Sequence, residues 1–127
     1  MHGLHLTADL YACTCDPGWL TDANTLGARC LQAVADAGLV AVAHLFHTFP
    51  ITAHGPGGVT ATVLLAESHL CIHTWPELRA VTLDVYVCNV GGDHRVKAQA
   101  LMDDLTALFA PTQSVKNRLQ RGAPASA

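Results

Sequence analysis

Residues 66–77 read Ala-Glu-Ser-His-Leu-Cys-Ile-His-Thr-Trp-Pro-Glu, a dense group of reactive side chains. The stretch holds both glutamates of the 127-residue chain and one of its three serines, although charged residues make up only 13% of the sequence. It directly follows an apolar run that is predicted to be buried. Buried polar side chains are costly unless they are bonded to partners. We therefore expect the functional site to include this stretch.

The same stretch predicts a β-hairpin. The run from Val59 to Ala66 is apolar and rich in β-branched residues, which is typical of a strand covered on both faces. Glu67 and Ser68 interrupt it. An extended pattern resumes from Leu70 to Trp75, and Pro76 stops that strand or confines it to an edge. The turn of the hairpin then falls at the Glu67–Ser68 bond.

Outside the hairpin, periodicity predicts three strands and two helices. The first helix has Thr21 or Asp22 as its N-cap and Gly38 as its stop. The second helix has Asp93 as its cap and ends at Pro111. In chain order the elements are a strand over 4–11, the first helix, a strand over 39–46, the hairpin, a strand over 81–88 and the second helix.

This element order predicts an α+β fold. Two helices cannot cover both faces of one sheet, so we expect a two-layer α/β sandwich with a largely antiparallel sheet and both helices on one face. Residues 1–111 then form a single domain, and residues 112–127 are predicted to be a flexible tail. The uncovered face, which carries Asp84, Tyr86 and Cys88, requires a ligand, a partner or polar side chains, and dimerisation would supply such a partner.

Composition excludes several classes of function. The net charge is −3, and no basic block precedes the sparse cations near the C-terminus, so nucleic-acid binding has little electrostatic support. No signal peptide and no apolar run of about 20 residues are visible, which predicts no membrane segment. Five cysteines without secretory context predict reduced thiols and a cytoplasmic protein.

Residues 67–77 allow three chemical interpretations. The first is an ordinary hairpin whose histidines lie on the surface or are satisfied in the core. The second is a metal site, because His69, Cys71 and His73 alternate along one strand and would face the same way. Further ligands could come from the Cys13/Cys15 or His44/His47 pairs. These spacings do not match those of ordinary structural zinc sites. The third is a reactive serine: Ser68 lacks the glycines of an esterase elbow but could attack its own preceding carbonyl in a strained turn, with His73 as the base.

The sequence at 66–77 resembles the processing site of the small prokaryotic S-adenosylmethionine decarboxylase proenzymes, which are pyruvoyl-dependent and cleave themselves. The similarity extends to His5-Leu6 with Ala8, to Phe46-His47 with Phe49, and to the strand ending Asp84-Val85-Tyr86-Val87-Cys88, and so spans residues 5–109. A match of this length is far more specific than a short motif. It favours the reactive-serine interpretation over the other two.

The resemblance implies a role for each matching residue. Ser68 attacks the Glu67 carbonyl, His73 takes the α-proton of Ser68 during processing, and the products are chains 1–67 and 68–127. Ser68 thereby becomes the pyruvoyl group that forms a Schiff base with substrate, and Cys88 protonates the product carbon. The resemblance also implies a homodimer of processed protomers with active sites near the interface, and no metal.

The cofactor prediction has support from the residues themselves. Decarboxylation of an amino acid requires an electron sink, which a pyruvoyl group or pyridoxal phosphate can supply. Pyridoxal phosphate needs an anchoring lysine, and the chain has only Lys97, on an exposed helical face, and Lys116. Pyridoxal phosphate is therefore not expected.

Substrate contacts also follow from the resemblance. Phe49 and Trp75 occupy positions where the family has aromatic residues that flank the adenine. Glu77 occupies the position of the acidic residue that binds the ribose hydroxyls. The alternative is that both aromatics belong to the core. Thr60 stands where relatives often have a serine that assists processing. The loop Pro50–Gly58 is longer than expected in the family and carries His54.

Two rival functions remain open at this point. A pyruvoyl enzyme of the same scaffold could decarboxylate arginine or ornithine, with Asp84 or Asp9 facing the distal cation of the substrate. An uncleaved relative could instead bind a ligand or metal without catalysis. The leading prediction is decarboxylation of S-adenosylmethionine, which makes the aminopropyl donor for spermidine and other polyamines.

Overall fold

A computed structural model describes residues 2–122 as six strands and three α-helices. The bounds, in chain order, are β1 Gly3–Tyr11, α1 Gly18–Thr21, α2 Ala23–Asp36, β2 Ala41–Thr48, β3 Val59–Leu65, β4 Ser68–Trp75, β5 Ala80–Cys88, α3 Arg95–Phe109 and β6 Gln113–Arg121, with a 3₁₀ turn at Pro76–Leu78 between β4 and β5.

The strands form one sheet in the order β2-β3-β4-β5-β1-β6, and every pair of neighbours is antiparallel. Helices α2 and α3 pack against this sheet and against each other. The predicted α+β sandwich with two helices on one face is confirmed; the four-residue α1 is an addition that the periodicity did not indicate.

The core lies between the helices and one face of the sheet. Alternate residues of the central strands point into it, such as Leu70 and Ile72 of β4 and Val85 of β5, all of which are fully buried. The helices contribute apolar stripes at helical spacing. The fully buried members of those stripes are Leu26, Cys30, Ala98, Leu101, Leu105 and Phe109.

The predicted N-cap is confirmed for α2, where it is Asp22, and is wrong for α3, whose N-cap is His94 and has no side-chain capping hydrogen bond. The Asp22 side chain accepts hydrogen bonds from the amides of Asn24 and Thr25 and from the Thr25 hydroxyl, which lowers the pKa of Asp22. A carboxyl with a lowered native pKa stabilises the fold at neutral pH, and this contribution is lost as the pH falls through that pKa. Asp93 lies one residue before the cap position of α3, where its carboxylate accepts from the Arg95 guanidinium and amide, which lower its pKa to about 2.

Two predictions about the strands are wrong. Strand β3 alternates buried and partly exposed residues and is covered on one face only, since both long helices lie on the same side. The segment 112–127 was predicted to be a flexible tail, but β6 pairs with β1 along its full length. All nine β6 residues are exposed, so the strand is held by its backbone pairing. Its sequence therefore lacks the alternation of apolar and polar residues that predicts a half-buried strand. Residues 123–127 of the predicted tail lie outside the described part of the chain.

None of the helices formed by residues 2–122 has both the length and the apolarity that a membrane crossing needs.

Candidate functional site

The Glu67–Ser68 bond lies at the turn of a tight hairpin. Leu65 of β3 pairs with Ser68 of β4, so Ala66 and Glu67 alone connect the two strands. Glu67 has a φ of 60°, in the left-handed region that side chains other than glycine occupy at a cost of roughly 1–2 kcal/mol. The peptide bond expected to break is therefore preceded by a strained residue.

The Ser68 hydroxyl lies beside the end of β5. The backbone N–H of Cys88 donates a hydrogen bond of 3.1 Å to Ser68 Oγ, and Cys88 itself is 7% exposed. This bond exists because β4 and β5 are neighbours in antiparallel register, with His69 opposite Tyr86. The structure thus brings together two of the predicted catalytic residues, Ser68 and Cys88.

A second group of predicted residues lines a cavity of about 610 Å³ at the opposite end of β4. Thr60 Oγ1 and His73 Nδ1 form a hydrogen bond of 3.1 Å, as expected for residues that face each other across the β3–β4 ladder. The lining includes all five residues predicted to assist processing or bind substrate at this end: Phe49, Thr60, His73, Trp75 and Glu77.

The two aromatic residues of this cavity are not core residues. Phe49 is 48% exposed and Trp75 is 38% exposed. Each ring lies next to an imidazole. The Phe49 and His47 rings meet edge-on with their centroids 4.8 Å apart, and the Trp75 ring is tilted against that of His73 at a centroid distance of 6.2 Å. The core alternative for these aromatics is therefore wrong in the protomer.

The loop over residues 50–58 forms one wall of the cavity and adds His54 to its lining. Phe49 N–H donates to Gly58 O, which closes the loop at its base. A β-carbon at Gly58 would overlap the Thr74 carbonyl, so glycine permits this close approach. Thr74 is itself buried and fixes the wall, because its hydroxyl donates to Leu20 O and accepts from Val59 N–H.

The structure does not bring His73 to Ser68 within one protomer. The two residues are five positions apart on the same extended strand, a separation of roughly 16 Å at about 3.3 Å per residue. A histidine must lie within hydrogen-bond reach of the proton that it removes. One protomer therefore contains two half-sites: Ser68 with Cys88, and the cavity that holds His73.

A third cluster lies between these half-sites and was missed by the sequence analysis. His5 Nε2 and His69 Nε2 lie 3.0 and 2.8 Å from the same Asp84 oxygen. The three residues come from β1, β4 and β5, and 79 positions separate His5 from Asp84. The only signal in the sequence is that each is a polar residue on the uncovered face of its strand; the pairing of β1 with β5 is needed to see that they meet.

The remaining thiols have no visible catalytic role. Burial raises the pKa of Cys30 to about 12, although the positive charge of Arg29 acts to lower it. Burial also raises the pKa of Cys13, Cys15 and Cys71. All five cysteines are free in the structure. The Cys13/Cys15 pair, considered above as a source of metal ligands, is held through its carbonyls by the Arg79 guanidinium.

Comparison with known proteins agrees with this geometry. The family model described as S-adenosylmethionine decarboxylase matches residues 4–122. An S-adenosylmethionine decarboxylase proenzyme from Parasynechococcus marenigrum (strain WH8102) is 40% identical over 110 residues, which cover 84% of this chain and 78% of the relative. A proenzyme of the same name from Hydrogenobaculum sp. (strain Y04AAS1) is 38% identical over 121 residues, covering 94% of this chain and 81% of the relative.

A solved structure extends the similarity to three dimensions. The crystal structure of the adenosylmethionine decarboxylase from Aquifex aeolicus VF5 superposes with a TM-score of 0.83 at 34% sequence identity, and the match covers 98% of this chain and 94% of the other. The family resemblance inferred from residues 66–77 is confirmed. The chain belongs to the S-adenosylmethionine decarboxylase family.

Proposed function

We propose that this chain is a proenzyme that cleaves itself between Glu67 and Ser68 and then decarboxylates S-adenosylmethionine with a pyruvoyl group derived from Ser68. The product would be the aminopropyl donor for spermidine and other polyamines, made in the cytoplasm. The observation that carries the proposal is the position of Ser68: it follows a left-handed Glu67 at a tight turn, and its Oγ accepts from the Cys88 amide.

The cleavage chemistry follows from that position. Ser68 Oγ attacks the Glu67 carbonyl carbon, the C–N bond breaks, and an ester replaces the amide while the Ser68 nitrogen gains a proton. His73 removes the Ser68 α-proton, and elimination releases the Glu67 carboxylate and leaves a dehydroalanine. Water then replaces its nitrogen as ammonia, so that residue 68 becomes a keto-acyl group at the start of the second chain. Leaving the left-handed conformation at Glu67 favours the first step.

A second protomer supplies what one protomer lacks. The uncovered sheet face carries exposed apolar side chains at Leu45, Leu64 and Leu119, which favours a partner on this face. A twofold axis through its middle would place the Ser68 end of one β4 opposite the His73 end of the partner's β4. Each complete site would then combine Ser68 and Cys88 of one protomer with the cavity of the other.

The cavity suits an adenosyl sulfonium. Phe49 and Trp75 offer exposed ring faces for adenine and for the adjacent cation, contacts worth about 0.5–2 kcal/mol each. Glu77 lies in the same lining and would accept from the ribose hydroxyls. At the other half-site, the pyruvoyl group supplies the electron sink for decarboxylation. Cys88 would deliver the proton to the carbon from which carbon dioxide departs.

The rival arginine or ornithine substrate has less support. Asp84, one of the two acids proposed to face a distal cation, already accepts from His5 and His69. The aromatic cavity with Glu77 has no evident use for a basic amino acid. Activity of Glu77→Ala on each substrate separates the two functions: we expect a large loss with S-adenosylmethionine, and undiminished activity would contradict this substrate.

Intact mass spectrometry of the purified protein tests the cleavage. We expect two chains, 1–67 and 68–127, the second lighter by one ammonia than the same chain beginning with serine. Ser68→Ala is the control and should give a single uncut chain. An uncut wild-type protein would overturn the proposal and favour a non-catalytic ligand-binding relative.

A further inference from the structure

The His5, His69 and Asp84 cluster has the donor set of a metal site. Two imidazole nitrogens and one carboxylate oxygen converge from three adjacent strands, and the ligand atoms all lie within 4.8 Å of one another. Among residues 2–122 no other three His, Cys, Asp or Glu side chains meet this spacing. Two histidines with one carboxylate form a common catalytic zinc set, which leaves one or more positions open.

The ligand atoms lie slightly closer together than they would around a zinc ion. The two imidazole nitrogens hydrogen-bond the Asp84 oxygen at 2.8 and 3.0 Å. Neighbouring ligands of a tetrahedral ion with bonds of about 2.1 Å lie about 3.4 Å apart, so an ion would replace these hydrogen bonds after a shift of roughly half an ångström. In a single protomer the side chains are 18–35% exposed, so an ion and its water ligands have access before a partner covers this face. Each ligand extends from a paired strand, which holds the three in place.

The surroundings include one group that opposes a metal. Arg121 Nη1 lies 2.9 Å from His5 Nδ1 and donates to it, which fixes the proton of a neutral His5 on Nε2, the nitrogen that faces Asp84. Metal binding at Nε2 would move that proton to Nδ1 and displace the guanidinium. Tyr86 stacks edge-on against His5 and is tilted against His69, and Cys71 lies in register with Asp84.

We propose that His5 Nε2, His69 Nε2 and an Asp84 oxygen bind one divalent ion of the zinc type per protomer, with Arg121 weakening the affinity. Water, or a group from a second copy of the chain, would fill the open positions. The ion would join β1 to β4 and β5 on the uncovered face of the sheet. This proposal does not depend on decarboxylation or on cleavage, since the ligands are present in the uncut chain.

Zinc titration of the full-length Ser68→Ala protein, followed by calorimetry and by metal analysis after dialysis, tests the site. We expect one Zn²⁺ per chain. His69→Ala and Asp84→Asn should each weaken binding by about 10–100-fold or more. His44→Ala, which removes an exposed imidazole on β2, is the matched control and should bind as the parent does. Thermal unfolding without metal verifies that each variant is folded, and His5→Gln replaces any that is not.

Two further measurements locate the ion. Arg121→Gln should bind Zn²⁺ more tightly, whereas Lys116→Gln, which removes another cation from the same strand, should change the affinity much less. Co²⁺ should give ligand-field bands without a thiolate charge-transfer band. Absence of binding at millimolar Zn²⁺, equal affinity in Asp84→Asn and the parent, or a thiolate band abolished by Cys71→Ser would each overturn the proposal.

Discussion

At the scale of single residues, Glu67 is where strain and chemistry coincide. Within residues 2–122, three other non-glycine residues also have positive φ: Ala12, Arg79 and Ala110. These three follow the ends of other elements, whereas Glu67 directly precedes the bond proposed to break. Attack by Ser68 removes the amide that holds this turn. Part of the driving force for cleavage would therefore come from the hairpin itself.

Glu67→Gly tests this idea. Glycine adopts positive φ without penalty, so the uncut chain should gain roughly 1 kcal/mol and the rate of cleavage should fall up to about fivefold. Stability is measured by urea unfolding in the Ser68→Ala background, and cleavage by gel or mass spectrometry over time. Ala110→Gly relieves a left-handed residue outside the hairpin and is the control: it should leave the cleavage rate unchanged. Faster cleavage of Glu67→Gly would contradict a contribution from strain.

The residues that line the candidate site could be named from the sequence, but their arrangement could be predicted only in part. The motif at 66–77 indicated Ser68, His73 and Trp75 together. It did not indicate that Ser68 and His73, five positions apart on one extended strand, lie at opposite ends of β4. The meeting of His5 with Asp84 was not predictable, since it depends on the register between strands distant in sequence.

At the scale of elements, Gly27 sets how closely helix α2 approaches strand β2. A β-carbon at Gly27 would overlap the ring of Phe46, which is half-buried and stacks on His44 at 4.6 Å. Phe46 is the least exposed residue of β2, whose other side chains are all exposed. This contact therefore helps to anchor an edge strand that is otherwise held by its backbone pairing to β3 and by the hydrogen bond from Ala23 N–H to the Thr48 hydroxyl.

Gly27→Ala should reverse the usual effect of alanine in a helix. Alanine normally stabilises a helix relative to glycine by about 0.5–1 kcal/mol, but here overlap with Phe46 should destabilise the protein by about 1–3 kcal/mol. In a Phe46→Ala background the same substitution should become stabilising. Urea unfolding of the four Ser68→Ala chains measures the difference, and an equal effect of Gly27→Ala in both backgrounds would exclude the contact.

A strand that alternates buried and exposed residues was predictable, and a strand held only by its backbone pairing was not. Strand β5 alternates apolar and polar residues because one face lies in the core, and its predicted bounds differ from the observed ones by a single residue. Strand β6 has no buried residue, so its sequence carries no such pattern. The prediction that β3 is buried on both faces failed because an apolar run does not reveal how many layers cover a sheet.

At the scale of the whole molecule, the two half-sites predict complementation between inactive variants. Ser68→Ala and His73→Ala should each be uncut and inactive alone. In a mixed dimer, one site would combine intact Ser68 of one chain with intact His73 of the other. Co-expression should therefore restore about a quarter of wild-type activity for random pairing in a symmetric dimer.

The pattern of cleavage distinguishes this arrangement from a site within one chain. Mass spectrometry of the co-expressed pair should show cleavage of the His73→Ala chain only, because only that chain retains Ser68. Ser68→Ala co-expressed with Cys88→Ser is the control, because both substitutions fall in the same half-site. No mixed dimer then has Ser68 and Cys88 intact in one chain, so decarboxylase activity should not be restored. Recovered activity in this control, or none in the first pair, would contradict a shared site.

The strand order β2-β3-β4-β5-β1-β6 limits how the protein can refold after cleavage. After a cut at Glu67–Ser68, β1 belongs to the first product but lies between β5 and β6 of the second, so the two polypeptides are interleaved. Once unfolded, the mature protein could regain its sheet only when two separate fragments meet, a process that depends on concentration. Folding of the chain would therefore have to precede its cleavage. The uncut chain would be the only form able to build this sheet unaided.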